Sequence, residues 1–237
     1  RFRENVKKTV APAPQGNVVL LPAAGAGRRP AIEPSKGACV KRKTTERKPP
    51  RERAGAKASP TRRIAILTGG GDCPGLNAVI RGLVRAAILE HGWEVYGILD
   101  GYDGLLSTDR YRCLSPHDVR GLQARGGTIL GTSNRGNPLH YPVKKNGATR
   151  YRNVTGQIVR NIRAMGIDVL VAVGGDGTMK ITQALFEKGV RVVGVPKTID
   201  NDLEATDVTF GFNSAVSTAT EAIDKLHTTA ESHHRIL

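Results

Sequence analysis

The chain has 237 residues, 39% of them hydrophobic, and a formal net charge of +15, so it is long enough for one large α/β domain and apolar enough to bury a core. Its three cysteines, Cys39, Cys73 and Cys113, are too few and too scattered for a disulfide framework and match no metal-ligand spacing, which points to a reduced, cytoplasmic setting. The apolar run at 18–24 is far too short to cross a bilayer, so no membrane partner is expected.

The charge is unevenly placed. Residues 1–60 hold 15 Lys and Arg against 4 acidic residues, whereas residues 61–237 hold 21 against 17. A basic excess of this size first suggests an anionic polymer, but it is concentrated in a stretch rich in Pro, Ala and Gly with no sustained apolar period. Such a segment buries too little apolar surface to offset its ordering entropy, about 1–2 kcal/mol per residue. It reads as a disordered tail over 1–60. A targeting peptide, a nucleic-acid arm or a tether are its functional readings, a solvated tail is preferred, and nucleic acid is not an expected partner.

From Arg63 the pattern changes. Residues 64–67 form a short apolar run of buried parallel-strand type that ends in a glycine cluster. Leu76, Ile80, Leu83, Val84 and Ala87 then recur at helical spacing, and 93–99 reads as a second strand. After a less regular middle, the spacing predicts helix over 155–165, strand over 169–173, helix over 179–187 and strand over 191–195. A last amphipathic helix places Ala215, Ala219, Ala222, Ile223 and Leu226 on one face. Strands alternating with helices imply a doubly wound, mostly parallel sheet with ligands at the carboxyl ends of its strands.

Three strand ends could carry chemistry. Gly69-Gly70-Gly71-Asp72-Cys73-Pro74-Gly75 lets backbone N–H groups approach a phosphate at a helix N-terminus, although a tight strand-to-helix turn explains it about as well. Gly174-Gly175-Asp176-Gly177-Thr178 adds a carboxylate suited to Mg²⁺, a cation of hard oxygen ligands; an Asp there can also merely cap the helix. Pro196-Lys197-Thr198-Ile199-Asp200-Asn201-Asp202 offers a base, a hydroxyl and a cation, and in isolation reads as a turn. Two glycine-rich ends in one sheet, with the third beside them, favour phosphate chemistry.

In this order and at these intervals the motifs, with Arg81, the segment 126–132 (Gly-Gly-Thr-Ile-Leu-Gly-Thr) and Ser232-His233-His234-Arg235, resemble the 6-phosphofructokinases over nearly all of residues 62–237. The resemblance implies a Rossmann-like N-terminal domain over 61–237 whose C-terminal sugar-binding domain is missing; a start on Arg1 rather than Met and an end on Leu237 inside an apparent element read as a chain cut at both ends. It implies phosphorylation of fructose 6-phosphate by ATP with Mg²⁺, in a homo-oligomer, dimer or tetramer, when full length. Carried over by position, Gly71, Gly175, Gly177 and Thr178 contact ATP and Asp176 holds the metal. Thr198 and Asp200 face the sugar's 1-hydroxyl with Asp200 as general base, Asp202 is the supporting carboxylate, and Arg235 reaches a neighbouring subunit's sugar phosphate.

The resemblance has departures. The family's ATP-contacting Arg is displaced by one position, to Arg135, and an effector-site Arg falls on His227, while Arg81 and Arg85 match two others; without the resemblance, Arg81 and Arg85 read as a solvated helix face. Gly177 favours ATP, since pyrophosphate users typically carry Asp there, whereas Lys197 is shared with pyrophosphate users. The alternatives are therefore a pyrophosphate-dependent enzyme and a catalytically idle nucleotide- or partner-binding fragment. Without the sugar domain, little or no activity is expected of these residues alone.

Overall fold

The computed structural model describes residues 62–133, 136–145 and 148–236; the basic segment and Arg135 lie outside them. The elements begin with β1 (Arg63–Thr68), α1 (Leu76–Arg85), β2 (Glu94–Ile98) and β3 (Tyr111–Leu114), followed by a hairpin of β4 (Tyr141–Lys145) and β5 (Ala148–Arg152). Then come α2 (Thr155–Ala164), β6 (Val169–Gly174), α3 (Asp176–Phe186), β7 (Val192–Thr198), β8 (Phe210–Gly211) and α4 (Phe212–His233). A π-helical turn (Ala86–Glu90) continues α1, and a 3₁₀ turn (Gly101–Leu106) follows β2.

Five strands, β2, β1, β6, β7 and β8, run parallel, and β3 closes the β2 edge in the antiparallel sense. The order β3-β2-β1-β6-β7-β8 reverses direction between β1 and β6: the chain leaves β1 through α1 toward β2, and leaves β6 through α3 toward β7. That reversal opens a crevice at the carboxyl ends of β1 and β6. The predicted α/β class and its parallel sheet are what the chain adopts.

The strands are apolar on both faces because helices cover both. Ile64, Ile66, Val171 and Val173 meet Ile80 and Val84 of α1 on one side. Ala65, Leu67, Leu170 and Ala172 meet Ile158 of α2 and Leu185 of α3 on the other. Each fully buried aliphatic side chain contributes about 1.5–3 kcal/mol of transfer free energy, so the two cores hold the crevice rigidly between them.

Several boundaries differ from the sequence expectation. α3 starts three residues earlier, at Asp176, and β7 runs on through Lys197 and Thr198. β3 and the β4–β5 hairpin were not expected: β3 spans four residues, and β5 is exposed along its whole length, so it carries no apolar alternation to detect. The predicted apolar face of α4 exists in sequence but is not buried. No residue of this 22-residue helix is, and Ile223 and Leu226 are 63% and 54% exposed. No described helix is long and apolar enough to cross a membrane.

Burial and the adjacent Glu94 push the phenol of Tyr96 up to about 12. A folded-state value raised above the unfolded one means that the unfolded chain loses its proton first. The resulting stability is therefore complete below pH 10 and is lost as pH rises from about 10 through about 12. Urea unfolding at pH 8, 10 and 11.5 should show a falling midpoint, and Tyr96→Phe should flatten the part of that fall due to this group.

Candidate active site

The three predicted strand ends converge. A cleft of about 340 Å³ is lined by Gly70, Gly71 and Cys73 after β1, by Gly175, Gly177 and Thr178 around the start of α3, and by Lys197, Thr198 and Asp200 at the end of β7. Each loop comes from a different strand, and the sheet register fixes their spacing: Thr68 stands opposite Val173, and Gly174 opposite Pro196.

The first loop is held by its backbone. Gly69 N–H donates to Val173 O at 2.8 Å, Gly70 N–H to Ser133 O at 3.3 Å, and the Thr132 hydroxyl to Gly70 O at 2.6 Å. Gly70 sits at φ +79°, where an L side chain is strained. A Cβ on Gly71 would meet nothing within 4 Å, so that glycine leaves open space on the cleft side. Lys197, 5% exposed, donates from Nζ to Gly71 O at 2.6 Å and ties the third loop to the first.

The second loop begins α3. Gly175 is its extended N-cap, and no side chain caps the helix, so first-turn N–H groups face the cleft with the positive end of the helix. Close approach is built in at Gly174, where a Cβ would lie 2.3 Å from the Thr178 hydroxyl oxygen. Gly177 differs: a Cβ there meets nothing within 4 Å. Asp176 does not line the cleft. Its carboxylate is exposed and pairs with Lys180 Nζ at 2.5 Å, one helical turn along.

In the third loop the Thr198 hydroxyl donates to Asp200 Oδ2 at 3.4 Å and accepts the Asp200 N–H at 3.1 Å. This closed turn aims one carboxylate at the cleft. Asp202 is exposed two residues on and does not line it. Sequence reasoning missed what holds this loop. Asn201 adopts φ +52° and its Oδ1 accepts the Thr209 N–H at 2.9 Å, while the Thr209 hydroxyl donates to Thr198 O at 2.7 Å. Asn tolerates the left-handed region better than most residues, the one local signal that could have marked it. Cys73 was also missed. Its buried thiol donates to Phe210 O at 3.5 Å, and burial pushes its pKa upward.

Arg135 lies outside the described residues. Arg235 follows the far end of α4 and does not line the cleft. Arg81 is not simply solvated, because its Nη1 donates to Val119 O at 3.0 Å. No group of three or more His, Cys, Asp or Glu among the described residues could cage a metal ion. Mg²⁺ keeps waters and substrate phosphates and needs only one or two carboxylates; the exposed carboxylate of Asp176 is of that chemistry, and in the structure it pairs with Lys180.

The sequence model of the family described as Phosphofructokinase matches residues 63–237. The chain is 56% identical over 179 residues to "ATP-dependent 6-phosphofructokinase 2" of Clostridium perfringens, a match covering 75% of this chain and 49% of that protein. It is 53% identical over 175 residues to "Pyrophosphate--fructose 6-phosphate 1-phosphotransferase" of Amycolatopsis mediterranei, covering 74% and 48%. Among solved structures, Pichia pastoris phosphofructokinase in the T-state superposes with TM-score 0.61 at 32% identity, over 73% of this chain and 19% of that one. The chain spans about half the length of the curated relatives it matches.

Proposed function

Because the chain belongs to the phosphofructokinase family, we propose that its cleft transfers the terminal phosphoryl group of ATP to the 1-hydroxyl of fructose 6-phosphate. The observation that carries this reading is the meeting of two glycine loops and the Thr198–Asp200 turn in one cleft at the strand-order reversal. The loops supply uncapped N–H groups for phosphate oxygens, and the turn supplies a carboxylate for an alcohol.

In this reading Gly71, Gly175, Gly177 and Thr178 receive the nucleotide phosphates through backbone groups, with Lys197 holding the Gly71 peptide in place. In a loose phosphoryl-transfer transition state the attacking hydroxyl becomes acidic late. Asp200 therefore orients the alcohol first and accepts its proton as the new P–O bond forms, and the Thr198 hydroxyl fixes the carboxylate in that pose. Asp202 supports the same loop from outside the cleft. Mg²⁺ held by Asp176 would neutralise charge on the phosphates.

Pyrophosphate as donor is the second reading. It is favoured by Lys197 and by the 53% identical relative named for that donor, and opposed by Gly177. Fructose 1,6-bisphosphate formation should be compared with each donor, using a protein of the relatives' full length that carries this domain. Turnover with ATP is the expected result; turnover with pyrophosphate alone overturns the choice of donor, and turnover with neither overturns the reaction.

A further inference from the structure

The described residues of the cleft leave an electrostatic difficulty. Among them, Asp72 and Asp200 line it against a single cation, Lys197, and Asp176 and Asp202 stand beside it. A polyphosphate approaching this edge meets more negative than positive charge.

The compensating charge lies next door. Residues 119–167 contain nine Lys or Arg and no Asp or Glu, while the rest of residues 61–237 holds 12 basic against 17 acidic residues. This acid-free stretch passes beside the cleft, where Thr132 bonds Gly70 and Ser133 accepts the Gly70 N–H. It continues into the β4–β5 hairpin. Val154 N–H donates to Pro138 O and closes the base of the hairpin. At the foot of the hairpin Gly136 lies against Asp103 on the 3₁₀ turn after β2, where a Cβ on Gly136 would fall 1.9 Å from Asp103 Oδ1, and a Cβ on Gly101 of that turn would lie 3.0 Å from Thr68 O. The hairpin is thus moored to the same sheet edge as the cleft. His140 and Tyr151 stack at 4.2 Å, interplanar angle 6°, and stiffen it.

Arg150 and Arg152 are exposed, and neither is among the ion pairs of the described residues. Arg160 on the outer face of α2 is likewise exposed and unpaired among them. α2 runs back toward the amino end of β6, so its positive N-terminus adds to the same edge.

We propose that the β4–β5 hairpin, through Arg150 and Arg152 with Lys144, is an electrostatic guide that draws a nucleoside polyphosphate into the acidic cleft without touching it there. The inference rests on the nucleotide-binding reading of the cleft and adds to it where the approach path lies. Guidance of this kind acts on the association rate, and salt abolishes it.

Stopped-flow mixing of the full chain with Mg²⁺ and a fluorescent N-methylanthraniloyl ATP tests it, with Arg150→Glu/Arg152→Glu and Arg150→Gln/Arg152→Gln as variants and circular dichroism as the check on folding. Reversing both arginines changes the field by four charges. Acting on a ligand of about two negative charges across ~20 Å of water at ~10 mM salt, that lowers the association rate about four-fold. The Gln pair should give roughly half the effect on a logarithmic scale, the dissociation rate should stay unchanged, and the gap should close near ~500 mM salt. An unaltered association rate at low salt overturns the proposal, as does a faster dissociation with unaltered association, which would mean direct contact. No binding by the unsubstituted chain removes the nucleotide reading and this inference with it, whereas binding that ignores the hairpin charge removes only the inference.

Discussion

Asp200→Asn, placed in a phosphofructokinase of full family length carrying this domain, should lower kcat for phosphoryl transfer by about 10²–10⁴-fold, the range of a positioned general base. The affinity for MgATP should stay within about two-fold of the parent. The two outcomes separate because the groups sit on different strands: Asp200 follows β7, while the phosphate-facing backbone follows β1 and begins α3. The amide keeps the size of the carboxylate and can still accept the Thr198 hydroxyl that now bonds Oδ2, so the turn survives while the proton acceptor is lost. A coupled assay for fructose 1,6-bisphosphate reads the first quantity and calorimetric titration with MgATP the second. A ten-fold loss of nucleotide affinity, or a kcat within a few-fold of the parent, would remove Asp200 from the role of base.

The second large effect is expected at Gly177. A Cβ there meets nothing within 4 Å, and the residue lines the cleft, so Gly177→Asp should leave folding intact and project a carboxylate into the path of the nucleotide. Two like charges about 4 Å apart at an effective dielectric of about 20 repel by ~4 kcal/mol. Affinity for ATP should therefore fall by about 10²–10³-fold, with pyrophosphate much less affected because it has no α-phosphate for the new carboxylate to repel. Parallel titrations with the two donors, with a melting curve to confirm the fold, give the ratio directly. An equal loss for both would mean that Gly177 faces the shared phosphates rather than the part that distinguishes them.

How far the sequence could be read follows from what was local. The β1 and β6 strands announced themselves because burial on both faces makes unbroken apolar runs, and their glycine-rich ends marked the crevice. Contacts that close the site over long separations left no such mark. Lys197 reads as a cation of the third strand end, but its anchoring role shows only when its Nζ is found on Gly71 O, 126 residues away. Asn201 and Thr209 form a clamp through one side-chain amide that no periodicity encodes. The β4–β5 hairpin was invisible for a different reason: β5, exposed along its whole length, carries no apolar alternation. For Asp176, the spacing to Lys180 was legible as a helical ion pair, but only with α3 beginning at Asp176 rather than at 179.

The long helix α4 sets a distance as well as a direction. Its first turn abuts the cleft, since Gly211 at its N-cap packs against Cys73 and Pro74. Its 22 residues then carry the chain about 33 Å along the axis before Arg235. A guanidinium held that far off cannot reach back into the cleft where its own helix starts. If Arg235 meets a sugar phosphate, it does so in another copy's cleft, and the two ligands then obey different laws of mass action. In that case nucleotide affinity should be indifferent to protein dilution, whereas sugar affinity should weaken as the copies separate, and α4 would make acceptor binding a collective property while donor binding stayed a private one.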